Sequence, residues 1–159
     1  MATDNGRAVR GAAAVFAAGF LVHNADHARR GIDVVTDHVI WAGTTVAMLA
    51  AVVLTLVATR HALAPFAAAV AGFSIAVGVS LSHLVPRWSA LSDPLPGGEV
   101  DAFTWVAVLA EVGGALLLGL AGLETARRQG YLLSAPDTVR VGHEPEAPRG
   151  HDKGSLPAT

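Results

Sequence analysis

Four apolar stretches, each about 20 residues long and divided by short polar segments, limit this chain more than anything else in it. Their centres read GAAAVFAAGFLV, VIWAGTTVAMLAAVVLTLVAT, ALAPFAAAVAGFSIAVGVSLSHLV and AFTWVAVLAEVGGALLLGLAGL. At 1.5 Å per residue, about 20 helical residues cross a hydrocarbon core of about 30 Å. Lipid offers the backbone no hydrogen-bond partners, so each span must satisfy its own, and helices do that. The spacing predicts helices over residues 8–28, 39–59, 62–85 and 102–124. Together they make an all-α integral membrane protein, a four-transmembrane-helix up-down bundle occupying residues 1–129. Residues 130–159 are rich in Pro, Gly and charge without apolar periodicity, and predict a disordered polar C-terminal tail.

Composition agrees with lipid as the solvent. Of the 159 residues, 52% are hydrophobic and only 15% charged, where a soluble domain carries about a quarter charged residues. The net charge of −2, with no basic run longer than two residues, gives no footing for nucleic acid. Cysteine is absent, which excludes disulfides, thiolate metal sites and cysteine nucleophiles. Arginine outnumbers lysine ten to one and alanine abounds, the bias of a GC-rich bacterial genome.

The first span has the basic start and apolar run of a signal peptide. VHNADHARR follows it without a small-x-small cleavage pattern, so it reads as a retained span. Arg7, Arg10, Arg60, Arg127 and Arg128 fall on one side of the membrane. Arg29, Arg30 and Arg87 fall on the other, diluted by six acidic residues. The positive-inside rule then puts both termini in the cytoplasm of a bacterial inner membrane, with segments 28–38 and 86–101 outside. Trp41, Trp88 and Trp105 fit an aromatic belt at the outer interface.

This topology gathers residues that are distant in sequence. His23 and His27 end the first span, His38 begins the second, and His83 lies one turn before Pro86 closes the third. All four fall at the outer rim, whereas His61 lies at the inner rim and His143 and His151 lie in the tail. His23 and His27, at i,i+4, share a helix face with Asp26 about 60° away. Two imidazoles one turn apart can hold one metal ion. Ala64, Ala68, Gly72, Ala76 and Ser80 form a ridge of small residues, and His83 falls on nearly the same face. Such ridges mark where membrane helices approach closely, so the histidines are expected to point into the bundle.

Glu111 stands in the middle of the fourth span among Ala107, Gly114 and Ala115. A carboxyl there costs roughly 2 to 3 kcal/mol or more unless it is paired, protonated or in use. Counting 1.5 Å per residue from the helix ends puts it ~15 Å deep and His23 and His83 only ~5 to 8 Å deep. That gap of roughly 8 Å predicts a proton-relay or supporting role rather than ligation beside the histidines.

The expected ligand set is therefore His23, Asp26, His27 and His83, with His38 as a further candidate and Glu111 behind them. Imidazoles and carboxylates without thiolate suit zinc, copper or iron. Haem b, held between His23 or His27 and His83, is the alternative cofactor. Structural roles compete at each position. Asp26 can pair with Arg29 or Arg30, Asp37 can cap the second helix beside a solvated Asp33, and His83 can bond to a neighbouring helix. Glu111 can be a protonated carboxyl bonded to Thr44, Thr45 or Ser74. At the level of the whole protein, the alternatives are a non-catalytic accessory subunit of a larger membrane complex and a proton or small-solute pathway through Glu111, which would need a homo-oligomer. The lipid bilayer is the expected partner in every case.

Overall fold

The computed structural model describes residues 2–31, 36–96 and 100–130. Asp33 and the tail, with His143 and His151, lie outside the described residues. Four helices follow one another, α1 (Ala2–Arg30), α2 (Asp37–Ala58), α3 (Ala64–His83) and α4 (Ala102–Arg128), and no strand occurs among the described residues. All four are long and apolar enough to cross a membrane.

Local chemistry sets the ends. α1 begins six residues earlier than expected, since nothing between Ala2 and Arg7 breaks a helix, and it stops at Gly31, whose φ of 94° is the left-handed turn that closes helices. Thr36, rather than Asp37, caps α2: its hydroxyl accepts from the backbone N–H of Val39, and Asp37 occupies the first turn, beside the positive end of the helix. α2 ends in a turn where the N–H of His61 donates to the carbonyl of Leu56 at 2.9 Å and Arg60 takes φ 55°. Pro65 sits in the first turn of α3, where its missing N–H costs nothing. Asp101 caps α4 by accepting from the N–H of Thr104 at 3.0 Å. The Asp101 carboxyl is held below the usual carboxylate range, first by that N–H and further by the Thr104 hydroxyl and the Arg29 guanidinium.

α4 is the central element, making the extensive interfaces with α1 and α3, while α2 packs more lightly against α3 and α1. Phe16, Ile75, Val108, Ala115 and Leu118 form the middle of the core. Glycine lets the backbones meet. A Cβ on Gly19 would lie 2.5 Å from the carbonyl oxygen of Ala110, and one on Gly114 would lie 2.7 Å from Cα of Phe16. On the other side of α4, the small-residue ridge of α3 is seated, with Gly72 against the backbone of Gly119 and Gly122 against Pro65 and Ala69. Such close approach is how helices gain dispersion energy where burial from lipid offers no hydrophobic drive. The large apolar side chains left outside, Leu21, Trp41 and Met48 among them, have the exposure expected of lipid-facing residues.

Candidate metal centre

α1 and α4 run antiparallel in a fixed register. Phe16 meets Gly114, Gly19 meets Ala110 and Glu111, and Arg29 reaches Asp101. Each step up α1 is matched by an equal step back along α4, so Glu111 stands one turn below His23. Glu111 is buried, and its Oε2 contacts Nδ1 of the buried His23. The expectation that Glu111 lies too deep to reach the histidines is thereby corrected. It assumed that His23 sits close to a helix end, but α1 continues to Arg30 and carries His23 down toward the carboxylate.

His23, His27 and His83 form one cluster. Their ring centroids lie 4.7 Å apart for His23–His27, 4.9 Å for His23–His83 and 5.6 Å for His27–His83. One nitrogen from each can be chosen so that all lie within 4.8 Å of one another, close enough to bind a single metal ion. α1 supplies two of them on one face through the i,i+4 spacing, and α3 brings the third at its last residue. No other such group of His, Asp or Glu occurs among the described residues.

Hydrogen bonds assign the ring nitrogens. Nδ1 of His83 lies 2.9 Å from the carbonyl oxygen of Asp93; a carbonyl only accepts, so Nδ1 carries the proton and Nε2 keeps a lone pair. Nδ1 of His23 rests against Oε2 of Glu111, and its Nε2 is buried with no hydrogen-bond partner. A ligating imidazole is held like this: one nitrogen on a carboxylate or carbonyl, the other turned to the metal. His27 differs. Arg30 Nη2, which can only donate, lies 3.2 Å from its Nδ1 and places the proton on Nε2. For Nε2 of His27 to bind a metal, Arg30 must turn away, and Asp26 and Asp93 are both at hand to receive it.

The remaining candidates stand apart. Asp26 is fully buried, but its Oδ1 accepts from Arg29 at 2.7 Å and its Oδ2 faces Nε of Arg30 at 3.1 Å, an ion pair without hydrogen-bond alignment. The arginines that follow it in sequence thus claim its carboxylate, and it is not in the imidazole cluster. His38 is exposed in the first turn of α2 and does not join the cluster either. Thr44 and Thr45 donate to carbonyls of their own helix, not to Glu111. Two contributors carried no signal in the sequence. Asp93 reaches His83 because residues after α3 fold back, with the N–H of Asp93 on the Ser82 carbonyl and that of Leu95 on the His83 carbonyl. Arg30 reads from sequence as a partner for Asp26, yet it also donates to His27.

Above the imidazoles, Asp26, Arg29, Arg30, Asp93 and Asp101 form a network of ion pairs. Beside them a cavity of about 500 Å³ opens between α1, α2 and α3, with His23, His27, His83 and Glu111 in its wall. No known protein family, curated protein or solved structure matches the chain.

Proposed function

We propose that this is a four-span integral protein of the bacterial inner membrane, an up-down bundle with both termini cytoplasmic, that binds one transition-metal ion through His23, His27 and His83. The observation that carries the reading is the buried, unpartnered Nε2 of His23, on a ring packed against two other imidazoles while its Nδ1 rests on Glu111. A buried lone pair without a partner costs about 1–3 kcal/mol, and an ion at the centre of the cluster removes that cost. Three neutral imidazoles and a fourth position open to the cavity are the coordination of catalytic zinc; copper and iron accept the same donors.

Ring spacing favours a bare ion over haem. With metal–nitrogen bonds of about 2.0–2.1 Å and ring centroids about 1.1 Å beyond, two imidazoles on a tetrahedral ion have centroids about 5 Å apart, and two across a haem iron about 6 Å. The separations of 4.7 and 4.9 Å fit the first arrangement, and 5.6 Å for His27–His83 falls between the two.

Elemental analysis of the purified protein tests the proposal, beside His23→Ala and His83→Ala variants. One zinc, copper or iron per chain in the wild type, lost in both variants, is the expected result. A wild-type protein that takes up none of the three after incubation with each overturns it, and an intense visible absorption band reports haem instead.

A further inference from the structure

The cavity beside the histidines has a wall chemistry that the metal reading leaves unused. Its body is apolar, formed by Phe20, Val39, Val46, Ala47 and Val79, and among the described residues its ionisable wall residues are the three histidines and Glu111. The mouth is rimmed by Ile40, Leu81, Trp88 and Leu91, all at least 40% exposed. Water has a poor route to the imidazoles along the helix axes. Asp26 and Arg30 bridge to Asp93 above them, and His23 and His83 are 5% and 4% exposed. Ile40 and Leu81 of this rim stand on helices long enough to span a membrane, and Trp88 and Leu91 follow just beyond α3, so the entrance opens at acyl-chain depth just below the outer interface.

Two glycines at this entrance differ from the glycines of the helix contacts. Gly43 and Gly78 line the cavity, and a Cβ on either would meet nothing within 4 Å. Neither is required for close packing, and each costs its helix about 1 kcal/mol relative to alanine. What they provide is width. The lining residues of α2 run from Val39 to Ala47, a rise of about 12 Å, which is room for a chain of roughly eight to ten carbons.

We propose that this cavity binds a membrane-dissolved amphiphile, its oxygen-bearing head at the open coordination position and its apolar tail along α2, entering sideways from the bilayer. The inference rests on the metal reading above. It assigns the substrate or ligand class as lipid-soluble, not aqueous.

Cobalt(II)-loaded protein in detergent tests it, with acetohydroxamic acid and octanohydroxamic acid as probes and the visible cobalt bands as the readout. Octanohydroxamate is expected to bind roughly 10-fold or more tightly than acetohydroxamate, since six additional methylenes are buried. In the Gly43→Leu/Gly78→Leu double variant that preference is expected to vanish while acetohydroxamate affinity holds. Partition of the probe into detergent is the same for both proteins, so the comparison reads the cavity. A double variant that keeps the full preference, or a wild type with none, overturns the cavity proposal while leaving the metal site standing. A protein that takes up no cobalt overturns the metal reading, and the proposal falls with it.

Discussion

His23 and Glu111, 88 positions apart in the chain, are joined side chain to side chain in the interior between α1 and α4. Neither is stable there alone. The carboxylate needs a donor in a medium without water, and the imidazole needs an acceptor to fix which nitrogen bears the proton. The pair meets because Gly19 lets α1 lie on the backbone of Ala110 and Glu111, one turn below His23.

Replacing Glu111 with Gln keeps the shape but removes the carboxyl that orients His23 as a ligand. Zinc affinity of Glu111→Gln is expected to fall by about 10- to 100-fold, measured by competition with a chelating dye. Unchanged affinity would mean that the carboxylate has no part in metal binding.

A side chain at Gly19 must push α1 off α4. Gly19→Val is expected to cost about 1–3 kcal/mol or more and to weaken zinc binding as well, because the same contact sets the height of Glu111 against His23. Gly11→Ala is the control, since a Cβ at Gly11 meets nothing within 4 Å. It should be neutral or stabilising by up to about 1 kcal/mol. Thermal unfolding in detergent separates the two.

Arg60 holds φ 55° in the turn that ends α2, a conformation suited to glycine. Arg60→Gly is expected to stabilise the fold by about 1 kcal/mol, read as a higher midpoint of unfolding. A lower midpoint would show that the arginine side chain contributes more than its backbone costs.

Acid should act on the cap of α4. The Asp101 carboxyl has its folded pKa lowered by the Thr104 N–H and by Arg29. Its contribution is therefore fully present above the unfolded value of about 3.9 and is lost as pH falls through the lower folded value. Asp101→Asn keeps a capping side chain without a titrating one. Between about pH 5 and pH 2 the wild-type melting temperature is expected to fall more steeply than that of the variant. Parallel slopes would mean that Asp101 makes no pH-linked contribution.

Hydropathy alone placed the four helices, because a span long enough for a bilayer has one backbone solution. The pairing of His23 with His27 was equally legible, being a matter of helical period. Joining them to His83 depended on the small-residue ridge of α3, whose seating on α4 turns His83 inward. What sequence could not carry was relative height. Depths counted from the helix ends put Glu111 out of reach, whereas the register set by Gly19 and the two residues by which α1 outlasts its expected end bring it into contact with His23. Asp93 was illegible for a related reason: the hydrogen bond to His83 comes from its backbone carbonyl, with its carboxylate farther off at 3.7 Å, and no pattern of residue types marks the return of that segment. Asp26 offered two readings, ligand or ion-pair partner, and the arginines three and four residues on decide between them.

The placement of α4 between α1 and α3 has a consequence for the order of biosynthesis. α1 leaves the ribosome first, with two of the three imidazoles, and α4 follows α2 and α3 with the carboxylate that fixes His23. During that interval His23 lacks the carboxyl that it contacts, and α1 and α3 lack the helix on which both pack most extensively. If the proposed ion binds, a chain stalled before α4 would present all three imidazoles without the carboxyl behind His23, and would hold the ion at least as weakly as Glu111→Gln.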